Sequence, residues 1–217
     1  MIAPPTLANY FVTEARITMP SQGAWRIDAT VDARGVEISG QQSFVFGDTT
    51  LTGHVDEFTE YAGVGIVVLS PGAGATQKTL SPAAWRNASV RTIAIATLKS
   101  VGENLSSGSD SLSTVWPYYT RMKCNFGAAL SKISSLAGCV WRYADDGSVL
   151  IVKENFLPTA NPYRVLTRDP RIGQITIVSE QLFARPGQNI DGKNIVSVEH
   201  HIEEAKIRSV LTYEVSP

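Results

Sequence analysis

Short runs of alternating apolar and polar residues fill the first part of the chain. Trp25, Ile27, Ala29 and Val31 alternate with polar neighbours, which is the period of a half-buried strand. Further segments of strand character, separated by turn residues, lie at 11–19, 44–46, 51–55 and 64–70. Residues 1–9 contain two prolines and are interpreted as an N-terminal arm. The pattern predicts a small β-barrel or β-sandwich preceded by this arm.

The clearest helix signal begins at Asn125, whose side chain is suited to cap a helix. Phe126, Leu130, Ile133 and Ala137 follow at helical spacing and form one apolar stripe. Gly138 supplies the left-handed conformation that commonly ends a helix. The stretch therefore predicts a helix from 125 to 138 with one buried face.

After Gly138 the spacing of apolar residues changes from that of a helix to every second residue. Cys139, Trp141 and Tyr143 share one face of a predicted strand. Asp146–Gly147 tolerates the positive φ angles of a tight turn, and residues 148–154 return as a second strand. A β-hairpin is therefore expected directly after the helix.

The remaining segments complete a β–α–α–β order. A helix is predicted after Ser89, with Val90, Ala94, Leu98 and Val101 on one face, and Ser81–Pro82 is interpreted as a helical turn. Residues 103–115 are rich in Ser and Gly and predict a flexible connection. Later strands are expected at 173–179 and in a final hairpin, about 194–202 and 206–215.

These elements predict an α+β, mainly β fold with two small β-barrel-like domains and two helices between them. The first barrel with its arm would cover residues 1–70. The loop, the two helices and the Ser/Gly-rich connection would cover 71–138, and the second barrel 139–217. The two barrels could also pack together as one unit.

Composition narrows the class of protein. The formal net charge is −1, which argues against a general polyanion-binding surface, and the 43% hydrophobic and 18% charged residues are typical of a globular chain. Cys124 and Cys139 match neither a CxxC motif nor a disulfide framework, so we expect free thiols. The N-terminus lacks the pattern of a secretory signal, and the longest apolar run, 66–69, is too short to span a bilayer. We expect a soluble protein made inside the cell.

Two motifs that suggest chemistry fail on inspection. Residues 72–79 approach a phosphate-binding loop, but Gln77 stands where that motif needs glycine before the lysine. His200 and His201 lie near Glu199, Glu203 and Glu204, yet adjacent residues of a strand point in opposite directions and cannot close on one ion. His54 lies far away in sequence.

The other candidates have simpler structural explanations. Trp116, Tyr118 and Tyr119 could stack on sugars or bases, but we favour an aromatic anchor where the connection rejoins the core. Asp145–Asp146 falls in the predicted hairpin turn, and no GxSxG motif supports a serine hydrolase. We therefore expect no catalytic, cofactor-binding or metal-ligating residues and no cofactor.

Three stretches, ASVRTIAIATLKSVGE, NFGAALSKISSLAGCVWRYADDGSVLIVKE and the segment from Pro186–Gly187 to IDGKNIVSVEHHIEEAKIRSVLTYE, resemble phage tail baseplate hub proteins. That family includes the late control protein D type and the hub-like half of type VI secretion spikes. The resemblance runs roughly from Ala15 to Tyr213 and depends on helix ends, turns and strands. It involves no chemical motif.

The resemblance implies a structural, non-enzymatic protein of the virion tail baseplate, assembled in the bacterial host cytoplasm. Three copies would form a ring of pseudo-sixfold symmetry that connects the tail tube, or a distal tail protein, to the central spike. Its channel would pass the tape-measure protein and DNA, without membrane insertion. Two alternatives remain open: a tail-associated cell-wall hydrolase or peptidase, and a carbohydrate-binding β domain that uses Trp116–Tyr119.

Overall fold

The computed structural model describes residues 3–203 and 206–215. Two helices, α1 and α2, interrupt an otherwise β chain: Val90–Lys99 and Phe126–Leu136. The strands of the described residues, β1 to β18, are Thr6–Leu7, Tyr10–Pro20, Arg26–Asp32, Gln41–Phe46, Thr49–Tyr61, Val64–Pro71, Thr79–Leu80, Ala83–Ser89, Val115–Arg121, Cys124–Asn125, Val140–Tyr143, Val149–Val152, Leu157–Pro158, Arg164–Asp169, Gln174–Ser179, Gln188–Ile190, Lys193–Glu203 and Lys206–Tyr213. The predicted mainly β fold with two helices is confirmed.

Six strands close into a barrel in the order β1, β4, β5, β6, β3 and β2. The two-residue strand β1 closes it, because Thr6 is paired with Val45 of β4 on one side and with Phe11 of β2 on the other. Large apolar side chains such as Phe44 and Phe46 fill the interior. The end of the arm predicted at 1–9 is thus a barrel strand; residues 1 and 2 lie outside the described residues.

The C-terminal strands extend the sheet of this barrel. Strand β17 is antiparallel to β2 over seven residue pairs, from Ser197 opposite Pro20 to Glu203 opposite Glu14. Beyond β17 the order is β18, β15 and β14. The two β regions therefore share one continuous sheet, although they are separated by both helices in sequence. The division of the chain at residues 70 and 138 stays a prediction.

The helix and hairpin predicted around residue 138 are confirmed. The Gly127 amide donates a hydrogen bond of 2.8 Å to the Asn125 side chain, and Gly138 has a φ of 66°. Leu130 and Ile133 are fully buried, and each side chain of this size stabilises the fold by about 1.5–3 kcal/mol. The indole of Trp141 donates to Ser131 Oγ at 2.9 Å, which fastens the hairpin to the helix.

The helical turn predicted at Ser81–Pro82 is wrong. Residues Ala83–Ser89 form strand β8, which pairs with β9 over Val115–Arg121. The Arg121 guanidinium donates two hydrogen bonds to the Ser81 carbonyl and holds this segment extended. Helix α1 begins one strand later, where Ser89 Oγ accepts a bond from the Thr92 amide.

The connection predicted at residues 103–115 runs along the edge of β12 rather than as a free linker. The Ser106 amide donates to the Val149 carbonyl at 2.7 Å, and the Asp110 amide donates to the Ile151 carbonyl at 3.0 Å. Backbone hydrogen bonds of this kind satisfy the open side of the hairpin. Among the residues described, no helix is long and apolar enough to cross a membrane.

Candidate interaction surface

The outer side of the continuous sheet is an extended surface. It spans eight strands in the order β14, β15, β18, β17, β2, β3, β6 and β5, and every neighbouring pair is antiparallel. Because side chains alternate across a strand, most of these strands bury one set and present the other, whereas β6 is buried on both sides from residue 67 to 71 and β14 has no buried residue. On β2, for example, Ala15, Ile17 and Met19 are buried while Glu14 and Arg16 are exposed. We call the exposed side the polar face.

Residues in register form rows across the polar face. One row runs through the following residues in strand order: Arg164, Val178, Arg208, His201, Arg16, Asp28, Val68 and Glu57. Basic side chains come first in this row and acidic ones follow. The row shows that the face has its own charge pattern, which was not visible along the sequence.

Ion pairs neutralise most of the central charges. The Glu199 carboxylate lies 2.6 Å from Arg16 Nη2 through one oxygen and 2.6 Å from His201 Nε2 through the other. Partial burial alone would raise the pKa of Glu199, but the hydrogen bonds from Arg16 and His201 lower it overall. On β3, the strand next to β2, Arg26 Nη2 lies 2.7 Å from Asp28 Oδ1. Arg16, Arg26, Glu199 and Asp28 are therefore ion-paired, whereas Arg208 in the same row forms no salt bridge within the described residues.

The polar face ends in two open edges of opposite charge. At one end, residues 56–61 of β5 pair only with β6 among the described strands, and they include Asp56, Glu57 and Glu60. At the other end, β14 pairs with β15 alone among the strands described, and residues 164–171 include Arg164, Arg168 and Arg171, of which Arg168 is ion-paired with Asp191 and Arg171 with Asp169. We call these the acidic edge and the basic edge. An open edge offers a row of backbone donors and acceptors to another strand.

The histidine pair does not form a metal site. His200 is 1% exposed, with Nδ1 2.7 Å from Ser209 Oγ and Nε2 3.1 Å from the Ala184 carbonyl. Burial is the main cause that lowers the pKa of His200, to about 3, so the ring is neutral. His201 points to the polar face, half-buried beside Glu199. Glu204 lies outside the described residues, and the part of the chain that is described holds no cluster of three His, Cys, Asp or Glu residues.

The glycine-rich loop at 72–79 holds a carboxylate of the protein itself. Glu103 is buried, and its Oε1 accepts a 2.8 Å hydrogen bond from the Ala73 amide. A Cβ on Gly72 would lie only 2.4 Å from the same carboxylate. Lys78 donates to the Val101 carbonyl at 2.9 Å, and strand β7 follows it where a phosphate-binding loop would have a helix. The loop is therefore a packing element.

The aromatic residues of β9 do not share one exposed face. Tyr119 is buried against Trp85 and Trp116, at ring-centroid distances of 5.7 and 5.1 Å. Tyr118, the preceding residue, is 60% exposed. This arrangement is a core anchor with one free ring.

The Asp145–Asp146 pair is likewise engaged in structure. Asp145 binds the Arg185 guanidinium at 2.9 Å, and Asp146 accepts bonds from the amide and hydroxyl of Ser148 in the hairpin turn. A cavity of about 300 Å³ lies beside Arg185, with Trp25 and Arg142 in its wall. Its charged groups are a salt-bridged pair and a half-buried arginine, and burial lowers the pKa of Arg142.

Sequence reasoning missed the residues of the two open edges. Their signals were present as an acidic cluster, DEFTE at 56–60, and three arginines between 164 and 171. Neither cluster marks an edge until the strand order is known. The missed feature is therefore one of topology.

Solved structures with this fold come from phage tails and a secretion machine. The 43 kDa tail protein of prophage MuSo2 from Shewanella oneidensis matches with a TM-score of 0.68 at 12% identity, over 99% of this chain and 98% of that chain. The E. coli c3393 protein, a type VI secretion component structurally similar to T4 tail proteins gp27 and gp5, matches with 0.71 at 11% identity, over 99% and 77%. A tail protein from Neisseria meningitidis MC58 matches with 0.69 at 9% identity, over 98% and 97%.

No family model matches the sequence, and no curated protein matches it either. At 9–12% identity the likeness is one of fold. The chain thus has a fold that occurs in phage tail proteins. The matches to the two tail proteins and to the secretion component each extend over 98–99% of this chain.

Proposed function

We propose that this protein is a structural hub of a phage tail baseplate. Three copies form a ring that connects the tail tube, or a distal tail protein, to the central spike. The ring leaves a channel for the tape-measure protein and for DNA. The protein acts in the virion tail after assembly in the host cytoplasm, and it catalyses no reaction.

The polar face is the single observation that carries this proposal. It is a continuous antiparallel surface of eight strands that carries paired charges and ends in two open edges. Long open edges promote uncontrolled association unless another strand covers them, and a closed ring covers every edge. The shared fold of the tail proteins supports the same conclusion.

The charge of the face suits a channel. DNA binds proteins chiefly through phosphate contacts with unpaired Lys and Arg residues. On the polar face Arg16 and Arg26 are already bound to Glu199 and Asp28, whereas the exposed Arg208 forms no salt bridge within the described residues. The paired arginines reduce the retention of a polyanion that passes along this wall.

Sedimentation velocity and electron microscopy test the proposal. The purified chain is measured at micromolar concentration in low salt, alone and with the tube and spike proteins encoded beside it. We expect a species of three copies with a central opening. A chain that stays monomeric under all of these conditions would refute the ring.

The alternative of a cell-wall hydrolase is tested separately. Purified protein is incubated with peptidoglycan, and turbidity is followed over hours. We expect no clearing beyond a buffer control. Clearing that survives further purification would overturn the non-enzymatic part of the proposal.

A further inference from the structure

The two open edges of the polar face differ in charge, and this difference identifies their partners. We propose that copies of this chain join head to tail, with the acidic edge of one copy paired to the basic edge of the next. This inference rests on the proposed ring and names the surfaces that form it. The occupant of each edge is a second copy of the same chain.

Strand direction permits this junction. Neighbouring strands from β14 to β5 are all antiparallel, so direction alternates along the eight strands. Because eight is an even number, β14 and β5 run in opposite directions. Strand β5 of one copy can therefore add beside β14 of another with the same antiparallel hydrogen-bond pattern.

Charge favours the head-to-tail arrangement over a symmetric one. The acidic edge carries Asp56, Glu57 and Glu60 without a basic residue. The basic edge carries three arginines, of which Arg168 is ion-paired with Asp191 and Arg171 with Asp169, so that Arg164 is the arginine of this edge without a salt bridge within the described residues. Pairing two copies through the same edge would place like charges opposite each other, which is destabilising. Pairing unlike edges places arginine beside carboxylate instead.

Register adds a particular contact. Arg164 and Glu57 are the two ends of one row of the polar face, the row that passes through Arg16. If the row continues across the junction, Glu57 of one copy lies opposite Arg164 of the next. Both residues are exposed, and neither forms a salt bridge within the described chain.

A head-to-tail contact has a consequence for assembly. The surface used at one end differs from the surface used at the other, so each copy always has one acidic and one basic edge to offer. Such a chain of copies either closes or keeps growing. Closure after three copies gives the proposed ring, with every edge paired.

Charge reversal tests the proposal. Variant A carries Asp56→Lys and Glu57→Lys and so has two basic edges; variant B carries Arg164→Glu and Arg171→Glu and so has two acidic edges. We expect each variant alone to associate on the order of tenfold or more weakly than wild type, because like charges then meet at the junction. The four substitutions combined in one chain restore association.

Mixing the variants distinguishes head-to-tail from symmetric pairing. In an equal mixture, opposite charges meet at every A–B contact, so A and B associate with each other. Because two variants cannot alternate around a ring of three, the mixture gives open chains or even-numbered assemblies, and the ring of three returns only in the chain that carries all four substitutions. In symmetric pairing through the basic edge, B would still repel itself and A would be unaffected. The matched control, Lys99→Glu with Lys132→Glu, makes the same charge change as B on the exposed surfaces of α1 and α2 and leaves association unchanged.

The possible results separate this inference from the ring itself. If wild type forms rings and the dissociation constant changes equally in A, B and the control, the edge assignment is overturned but the ring is not. A wild-type chain that never associates, alone or with its neighbours, overturns both. If A or B fails to fold, a salt titration of wild type decides: association that does not weaken from 0.05 to about 1 M NaCl contradicts the charged junction.

Discussion

Acid should destabilise this protein through one buried histidine. In the folded chain, burial lowers the pKa of His200 to about 3, from an ordinary value of 6.5. Between these two pH values the unfolded chain binds a proton at this ring and the folded chain does not. The histidine therefore favours unfolding increasingly as the pH falls through this window, and it has no such effect above about pH 6.5.

The size of the effect follows from the two pKa values. Each pH unit within the window costs about 1.4 kcal/mol of unfolding free energy. From pH 7.5 to pH 5.0 the loss from His200 alone is about 2 kcal/mol, a large fraction of the stability of a typical domain. Protonation would also set a charged ring between Arg185 and His201, which both lower its pKa further.

Urea unfolding at pH 7.5, 6.0 and 5.0 measures this loss in the wild type and in His200→Gln. His200→Gln is less stable than wild type at pH 7.5, because the hydrogen bonds to Ser209 and Ala184 are weakened. The variant has no imidazole at this position to take up a proton on unfolding. We expect its stability to change by about 2 kcal/mol less than that of wild type over this range. Parallel pH profiles for wild type and His200→Gln would refute the reasoning.

Two further predictions concern the helix–hairpin unit and its contact with the barrel, both followed by urea midpoints. Leu130→Ala removes a fully buried side chain of α2 and should cost about 2–5 kcal/mol, whereas Leu136→Ala on the exposed side of the same helix should cost well under about 1 kcal/mol; equal costs would contradict the assigned helix face. Gly147→Ala places a Cβ 2.7 Å from the Thr52 carbonyl at a φ of 80°, so a loss of about 1–3 kcal/mol is expected, and unchanged stability would show that the turn can move away from the barrel.

Local sequence signals predicted local structure well. Asn125, Gly138 and Asp146–Gly147 act through their own backbone conformation or a bond to a residue two positions away, so their effect is readable without the fold. The alternating strands of the barrel were equally visible, since burial on one face imposes a period of two.

Elements decided by distant partners were not predicted. Strand β8, AAWRNAS, has weak strand character, and it is extended because β9 pairs with it. A bulge between Ile195 and Ser197 places Ile195 in the core and leaves Val196 only partly buried, which simple alternation along the strand does not predict. Local propensity contains neither piece of information.

The surface was the least predictable part. The absence of a chemical motif was visible in the sequence, but the polar face requires the pairing of β2 with β17, whose residues lie more than a hundred positions apart. The acidic and basic edges likewise are exposed only because the strand order places them at the ends of the sheet. Sequence patterns describe which side of a strand is buried, and they leave open which strand lies last in a sheet.

The pairing of β2 with β17 also constrains how the chain is made. Residues 14–20 leave the ribosome long before residues 197–203, so this side of β2 waits without its neighbour during most of synthesis. Contacts between such remote segments slow folding. The sheet that joins the acidic and basic edges in one surface is thus completed last, although the acidic edge on β5 is made early.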